Sequence, residues 1–252
     1  MMYNRSHENE RGKREEYIFP IAVILVIFLF SLVPFIGHGS MIDSVSGAFS
    51  ISIAIIFFGL NSKFYGFKSD EGRVWTILSL GLIIVLAANI FATLKFPSIY
   101  FVLRFSSIPI IVFGIIMKLR FAGLNMDMSE KTVAAIAISG YILLVLVSSV
   151  IPAIEAGFNL EDNASVVFSV TEILFLLMGI LIIQTIESKG WYIISLGLVL
   201  ISMGDIFNPL GRQYGLVYDG TPLRLFWYIG LIAIAYGAYY QKKKHQELLS
   251  NI

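Results

Sequence analysis

Apolar residues run through this chain in long blocks separated by short polar stretches, without the period-two alternation of barrel strands. Blocks of about 18 residues or more predict transmembrane helices. Eight such segments lie at residues 17–36, 42–60, 74–94, 99–117, 133–154, 164–186, 191–209 and 223–240. Membrane β-strands would instead read as alternating segments of about 10 residues. The expected fold class is therefore an all-α membrane protein with eight transmembrane helices.

The hydrophobic pattern is also written twice. Trp75 to Phe91 and Trp191 to Phe207 share eight of 17 aligned positions at an offset of 116. Weaker matches follow in order. Pro34 of the first segment matches Pro152 of the fifth, Gly59 of the second matches Gly179 of the sixth, and Phe113-Gly114 matches Tyr236-Gly237. Each copy holds four segments, an even number, so both enter the membrane in the same sense. Parallel repeats of that kind are related by a pseudo-two-fold axis along the membrane normal, and sites tend to form between them. The chain divides into an N-terminal tail (1–16), a first repeat (17–120), a linker (121–131), a second repeat (132–241) and a basic tail (242–252). Gly47, Gly81, Gly140, Gly197, Gly204, Gly230 and Gly237 provide small surfaces for close helix packing, and Pro109 predicts a kink in the fourth segment.

Composition agrees with the pattern: 57 % of the 252 residues are hydrophobic and only 14 % charged, against about 25 % charged in globular domains. The distribution of the 18 lysines and arginines sets the orientation. The two termini and the even-numbered connections hold 14 of them, and the opposite side holds only Lys95, Arg104, Arg212 and Arg224. By the positive-inside rule both termini are cytoplasmic, integral to the cell membrane. The first segment, at about 20 residues, exceeds a signal-peptide core and has a counterpart in the second repeat, so it reads as a retained helix. Lys242, Lys243 and Lys244 suit a topology anchor beside anionic lipid.

Several chemistries find no support. There is no cysteine, and His7, His38 and His245 are scattered over both sides of the membrane, so no metal site is expected. No phosphate-binding glycine loop or nucleophile elbow occurs, no cofactor is implied, and nothing points to nucleic acid. The expected partners are membrane lipids and a cytoplasmic signalling protein.

Polar side chains inside the hydrocarbon are expensive and mark candidate sites. The second repeat carries Asp205 where the first has Asn89, and Glu172 where the first has Ser52. Counted from the segment ends, Glu172 lies about 12 Å deep and Asp205 about 6 Å from a boundary at Pro209. Asn208, Tyr218, Arg224 and Trp227 gather on the same side, and Arg104 opens the fourth segment there. The loop 210–222 could cover them as a lid. The expected ligand pocket faces outward between segments 5 and 8, with Glu172 and Asp205 at its base and Asn208, Tyr218, Arg224 and Trp227 around it. Ser52, Asn89 and Arg104 are the first-repeat counterparts. The alternative reading makes Asp205–Arg224 an ion pair pinning two helices, with Glu172 protonated.

Gly204-Asp205, Tyr214-Gly215, Trp227-Tyr228 and Gly237-Ala-Tyr239 together resemble the membrane regions that precede output modules in prokaryotic histidine kinases and diguanylate cyclases. The resemblance covers roughly residues 191–247 and implies a sensor. The sequence ends at Ile252, about ten residues past the last segment, so signalling is expected to need a partner or a further chain segment. Gly204-Asp205 also resembles one of the two aspartate positions of lysoplasmalogenase-like eight-helix hydrolases. The second position falls on Asn89, which cannot act as acid or base. Intramembrane aspartyl proteases are less similar, because Ser202-Met203-Gly204-Asp205 lacks their first glycine. No catalytic residue is assigned. The expected function is a sensor or ligand-binding module. A small-solute or proton-coupled transporter, a lipid-active hydrolase and a structural subunit are the alternatives.

Overall fold

The computed structural model describes residues 17–29, 31–32, 39–123, 132, 136, 139, 151, 175–213 and 224–250. Seven helices occupy them: α1 (Tyr17–Leu29), α2 (Gly39–Tyr65), α3 (Asp70–Thr93), α4 (Pro97–Ala122), α5 (Phe175–Thr185), α6 (Lys189–Gln213) and α7 (Leu225–Ser250). No strand occurs among the described residues. Three helices, Met41–Tyr65, Asp70–Thr93 and Ser98–Ala122, are long and apolar enough to cross a membrane. Much of their surface is apolar outside as well as inside: Ile56, Leu80, Ile83, Val102 and Phe113 are all exposed. An exterior of this kind needs lipid rather than water around it. The expected fifth segment lies almost wholly outside the described residues.

α2, α3, α4, α6 and α7 are longer than their apolar blocks. α6 passes through Pro209 and ends at Gln213, so Asp205 sits eight residues, about 12 Å, from the helix end rather than beside it. α7 continues to Ser250 instead of stopping at Tyr240. Gln241 to Leu249 is rich in Gln, Lys, Glu and Leu, all strong helix formers, so leaving the apolar zone gives the backbone no reason to stop. α4 runs on through Pro109.

Local chemistry sets the turns. Gly66 (φ 85°) ends α2 in the left-handed region, which glycine enters without steric cost. Ser69 then caps α3, its Oγ accepting from the Gly72 N–H at 3.0 Å. Asp70 and Glu71 follow in the first turn, where the helix dipole favours acids. A Cβ on Gly72 would fall 1.9 Å from the Gly66 carbonyl oxygen, so only glycine fits this tight return.

α3 packs between α2 and α4, while α7 packs on both α6 and α2. Where α3 meets α4, a Cβ on Gly81 would lie 2.5 Å from Ile111 and one on Gly114 2.8 Å from Leu78. Where α6 meets α7, a Cβ on Gly197 would lie 2.6 Å from Ile234 and one on Gly237 2.7 Å from Ile194. These four residues are the ones that the 116 and 123 offsets of the matched motifs select. The two groups of helices also meet directly. Trp75 and Trp191, aligned at the 116 offset, are fully buried against each other with ring centroids 5.0 Å apart. Beside them Lys118 Nζ donates to both Glu71 carboxylate oxygens at 2.9 and 2.7 Å, and lies 5.2 Å from the centre of the Trp191 ring. From this end α3 and α6 both run toward the opposite end, where the polar residues collect.

Candidate functional site

At that opposite end the first turns of α2 and α7 are locked together. Asp43, 6 % exposed, receives Arg224 Nη1 on Oδ2 at 2.9 Å. The buried Tyr228 hydroxyl lies 3.0 Å from Asp43 Oδ1 and 3.1 Å from its carbonyl oxygen, positioned to donate to either. Arg224 immediately precedes α7 and Tyr228 follows it by four residues in the first turn, so both side chains reach Asp43 from the same side. A carboxylate buried in an apolar setting needs both a counter-charge and hydrogen bonds, and Asp43 has them.

Next to this cluster, α2 and α3 approach closely because residue 47 is glycine. A Cβ there would sit 2.9 Å from Asn89 Nδ2 and 3.4 Å from the Tyr228 ring. Asn89 Nδ2 donates to the Ser44 carbonyl at 3.4 Å. One turn on, Thr93 Oγ1 donates to the Asn89 carbonyl at 2.9 Å. From α4, Arg104 places its guanidinium carbon 5.7 Å from the centre of the Trp227 ring, a cation–π contact. No carboxylate pairs with Arg104 among the described residues.

These side chains enclose a cavity of about 240 Å³. Asn89, Tyr100, Arg104, Arg224, Trp227 and Tyr228 form its wall, and Gly47 and Gly204 leave it room. It is larger than the roughly 150 Å³ that accepts benzene in an engineered protein core. Two guanidiniums line it, and one of them is already matched by Asp43. Among the described residues the second guanidinium, with the amide and phenol groups, makes this a setting for an anion.

A second, apolar space of about 60 Å³ lies toward the Trp75–Trp191 end. Its wall pairs Leu78 with Ile194, Leu82 with Leu198, Val85 with Ile201 and Ile111 with Ile234. Val85, Arg104 and Trp227 belong to both spaces, so polar cavity and apolar slot meet at the Arg104–Trp227 contact.

Of the residues singled out from the sequence, Asn89, Arg104, Arg224 and Trp227 come together here. Ser52 is half-buried on α2 and is not part of the wall. Glu172 and Tyr218 lie outside the described residues, as do the side chains of Asp205 and Asn208 on α6. The described cavity draws on α2, α3 and α4 as well as α6 and α7, instead of on the later segments alone. The described carboxylate on Arg224 is Asp43, 181 residues away in sequence. Asp43, Tyr228 and Tyr100 escaped the sequence reading. Asp43 had a usable signal, as the single charged residue in the apolar block 42–60. Among the described residues no group of three or more His, Cys, Asp or Glu is placed to hold a metal ion. Comparisons with protein-family models, curated proteins and solved structures give no match to this chain.

Proposed function

We propose that the chain is an eight-span membrane protein of two parallel four-helix repeats, serving as a ligand-binding or sensor module. Its site is the cavity between the repeats, open to the outer side and suited to an anion. The observation that carries this reading is Arg104, a guanidinium on the cavity wall without a carboxylate partner among the described residues. An anionic ligand would give this guanidinium the charge-assisted hydrogen bonds that no described carboxylate supplies.

The repeat arrangement is supported by equivalent residues meeting one another. Trp75 touches Trp191, Arg104 touches Trp227, and four further equivalent pairs line the apolar slot. A pseudo-two-fold axis along the slot produces this pairing. The outward orientation rests on charge: 14 of 18 lysines and arginines fall on the termini's side. In a sensor role, occupancy would alter how α7, which runs to Ser250, is presented to a cytoplasmic partner. Transport is the second reading, favoured by the slot between equivalent helices that stops at the Trp75–Trp191 pair. In that role the tryptophans and the Glu71–Lys118 pair would form the inner gate.

The absence of cysteine makes orientation directly testable. In intact cells an impermeant thiol reagent is expected to label Asn89→Cys and Lys95→Cys and to spare Lys68→Cys. Labelling of Lys68→Cys alone would invert the orientation and remove the outward-facing site.

A further inference from the structure

Building on the anion-site reading, we infer that the ligand is an anionic single-chain amphiphile. Its carboxylate or phosphate head lies between Arg104 and Asn89, and its alkyl tail enters the slot between α3 and α6. The argument begins with the two spaces taken together. The polar cavity is about 240 Å³ and the apolar slot about 60 Å³, and they share Val85, Arg104 and Trp227. A free inorganic anion has no use for the slot, and an uncharged hydrocarbon has no use for the guanidinium. A molecule with an anionic head and an apolar tail matches both.

Arg104 suits the junction chemically. An arginine stem is apolar while its planar head recognises carboxylate or phosphate with two parallel hydrogen bonds. Trp227 presents a ring face to that same guanidinium, which fixes the head without neutralising it. Below them the wall contains Leu82, Leu198, Val85 and Ile201. Its floor is Trp191, held by Trp75 and by Lys118. Leu78 and Val85 are seven residues apart, so the slot extends about 10 Å along α3. Its volume is less than half of the roughly 150 Å³ that holds benzene, so it takes only the end of a tail whose first methylenes lie with the head in the wider cavity of about 240 Å³, and not a full membrane acyl chain.

The test uses the full chain in phosphatidylcholine nanodiscs, with 8-bromooctanoate as a contact quencher of tryptophan fluorescence. Trp227 stands at the mouth and Trp191 at the floor of the slot. Quenching is expected to saturate. Unbrominated carboxylates should compete with affinity rising about fourfold per methylene, the ~0.8 kcal/mol of one buried CH2, until the slot is full. Neutral octanamide should compete at least tenfold more weakly. Arg104→Met, which keeps the stem and removes the charge, should abolish saturable quenching. Leu198→Phe, which fills the slot and keeps Arg104, should retain competition by acetate but lose the gain with chain length.

Equal competition by acetate, inorganic phosphate and octanoate would overturn the amphiphile and leave the anion site standing. Quenching that rises linearly and is the same in Arg104→Met is partition into the bilayer, and also overturns it. If no anion of any length competes, the anion site itself falls with the amphiphile.

Discussion

Replacing Asp43 with alanine is expected to destabilise the protein by about 3 kcal/mol, the lower part of the range for breaking a buried ion pair. The lower part applies because 25 % of the Arg224 side chain remains exposed. The loss has two sources. Arg224 keeps its charge in a setting that no longer supplies the 2.9 Å carboxylate contact, and the Tyr228 hydroxyl loses its 3.0 Å carboxylate acceptor. Most of the effect is the penalty for withdrawing this carboxylate from a partly buried cation, not the intrinsic strength of the pair. A double replacement, Asp43→Leu with Arg224→Met, is therefore expected to be more stable than Asp43→Ala alone. Unfolding in mixed micelles, followed by tryptophan fluorescence, compares the three. A double variant less stable than Asp43→Ala would show that the pair stabilises the fold outright.

Substituting leucine for Gly197 is expected to have an effect at least as large, by a different route. α6 and α7 touch backbone to backbone through glycines seven residues apart on each helix. A Cβ on Gly197 would lie 2.6 Å from the Gly230 carbonyl oxygen, and one on Gly230 would lie 2.7 Å from that of Gly197. The same exchange recurs at Gly190 and Gly237, at 2.8 and 2.5 Å. Backbone atoms cannot turn aside as a side chain can. In a membrane, where lipid is as apolar as leucine, close packing is a main source of helix association. Gly197→Ala should cost about 1–3 kcal/mol, the usual range for overpacking. Gly197→Leu should exceed this and separate α6 from α7, disrupting the cavity wall at Gly204 and Trp227. Gly59 is the control, since nothing lies within 4 Å of a Cβ built there. Gly59→Ala should be neutral or up to about 1 kcal/mol stabilising, through helix propensity. Equal losses at Gly59 and Gly197 in the same unfolding assay would contradict the close-packing account.

What was legible in the sequence follows from what a residue can report locally. An apolar block measures the hydrocarbon it must match. That marks where helices lie but not where hydrogen bonding ends, so α7 runs past Tyr240 and α6 past Pro209. The repeated Trp-x-Ile-x-Ser-Leu-Gly-Leu motif contains two residues, Trp75 and Trp191, that pack against each other with tilted rings. Asn89, Arg104, Arg224 and Trp227 were visible because polar or amphipathic groups in an apolar block need a reason. Asp43 obeys the same logic, but one position inside its block it reads as a helix boundary. Its partners, Arg224 just before α7 and Tyr228 on it, lie 181 and 185 residues away. No local pattern announces that α2 will pack on α7, so the ion pair at the cavity's edge became visible only with the fold. The acidic contrast drawn between the halves is incomplete for that reason: the first half supplies a buried acid of its own.

On the function proposed above, the two halves enclose one anion site with Arg104 on its wall. Native mass spectrometry of the detergent-purified protein, beside Arg104→Met, tests it most directly. The account predicts a discrete adduct on the natural chain, carrying an acidic group and absent from a folded Arg104→Met variant. An identical adduct on both proteins, or none on either after incubation with medium-chain carboxylate, would contradict it.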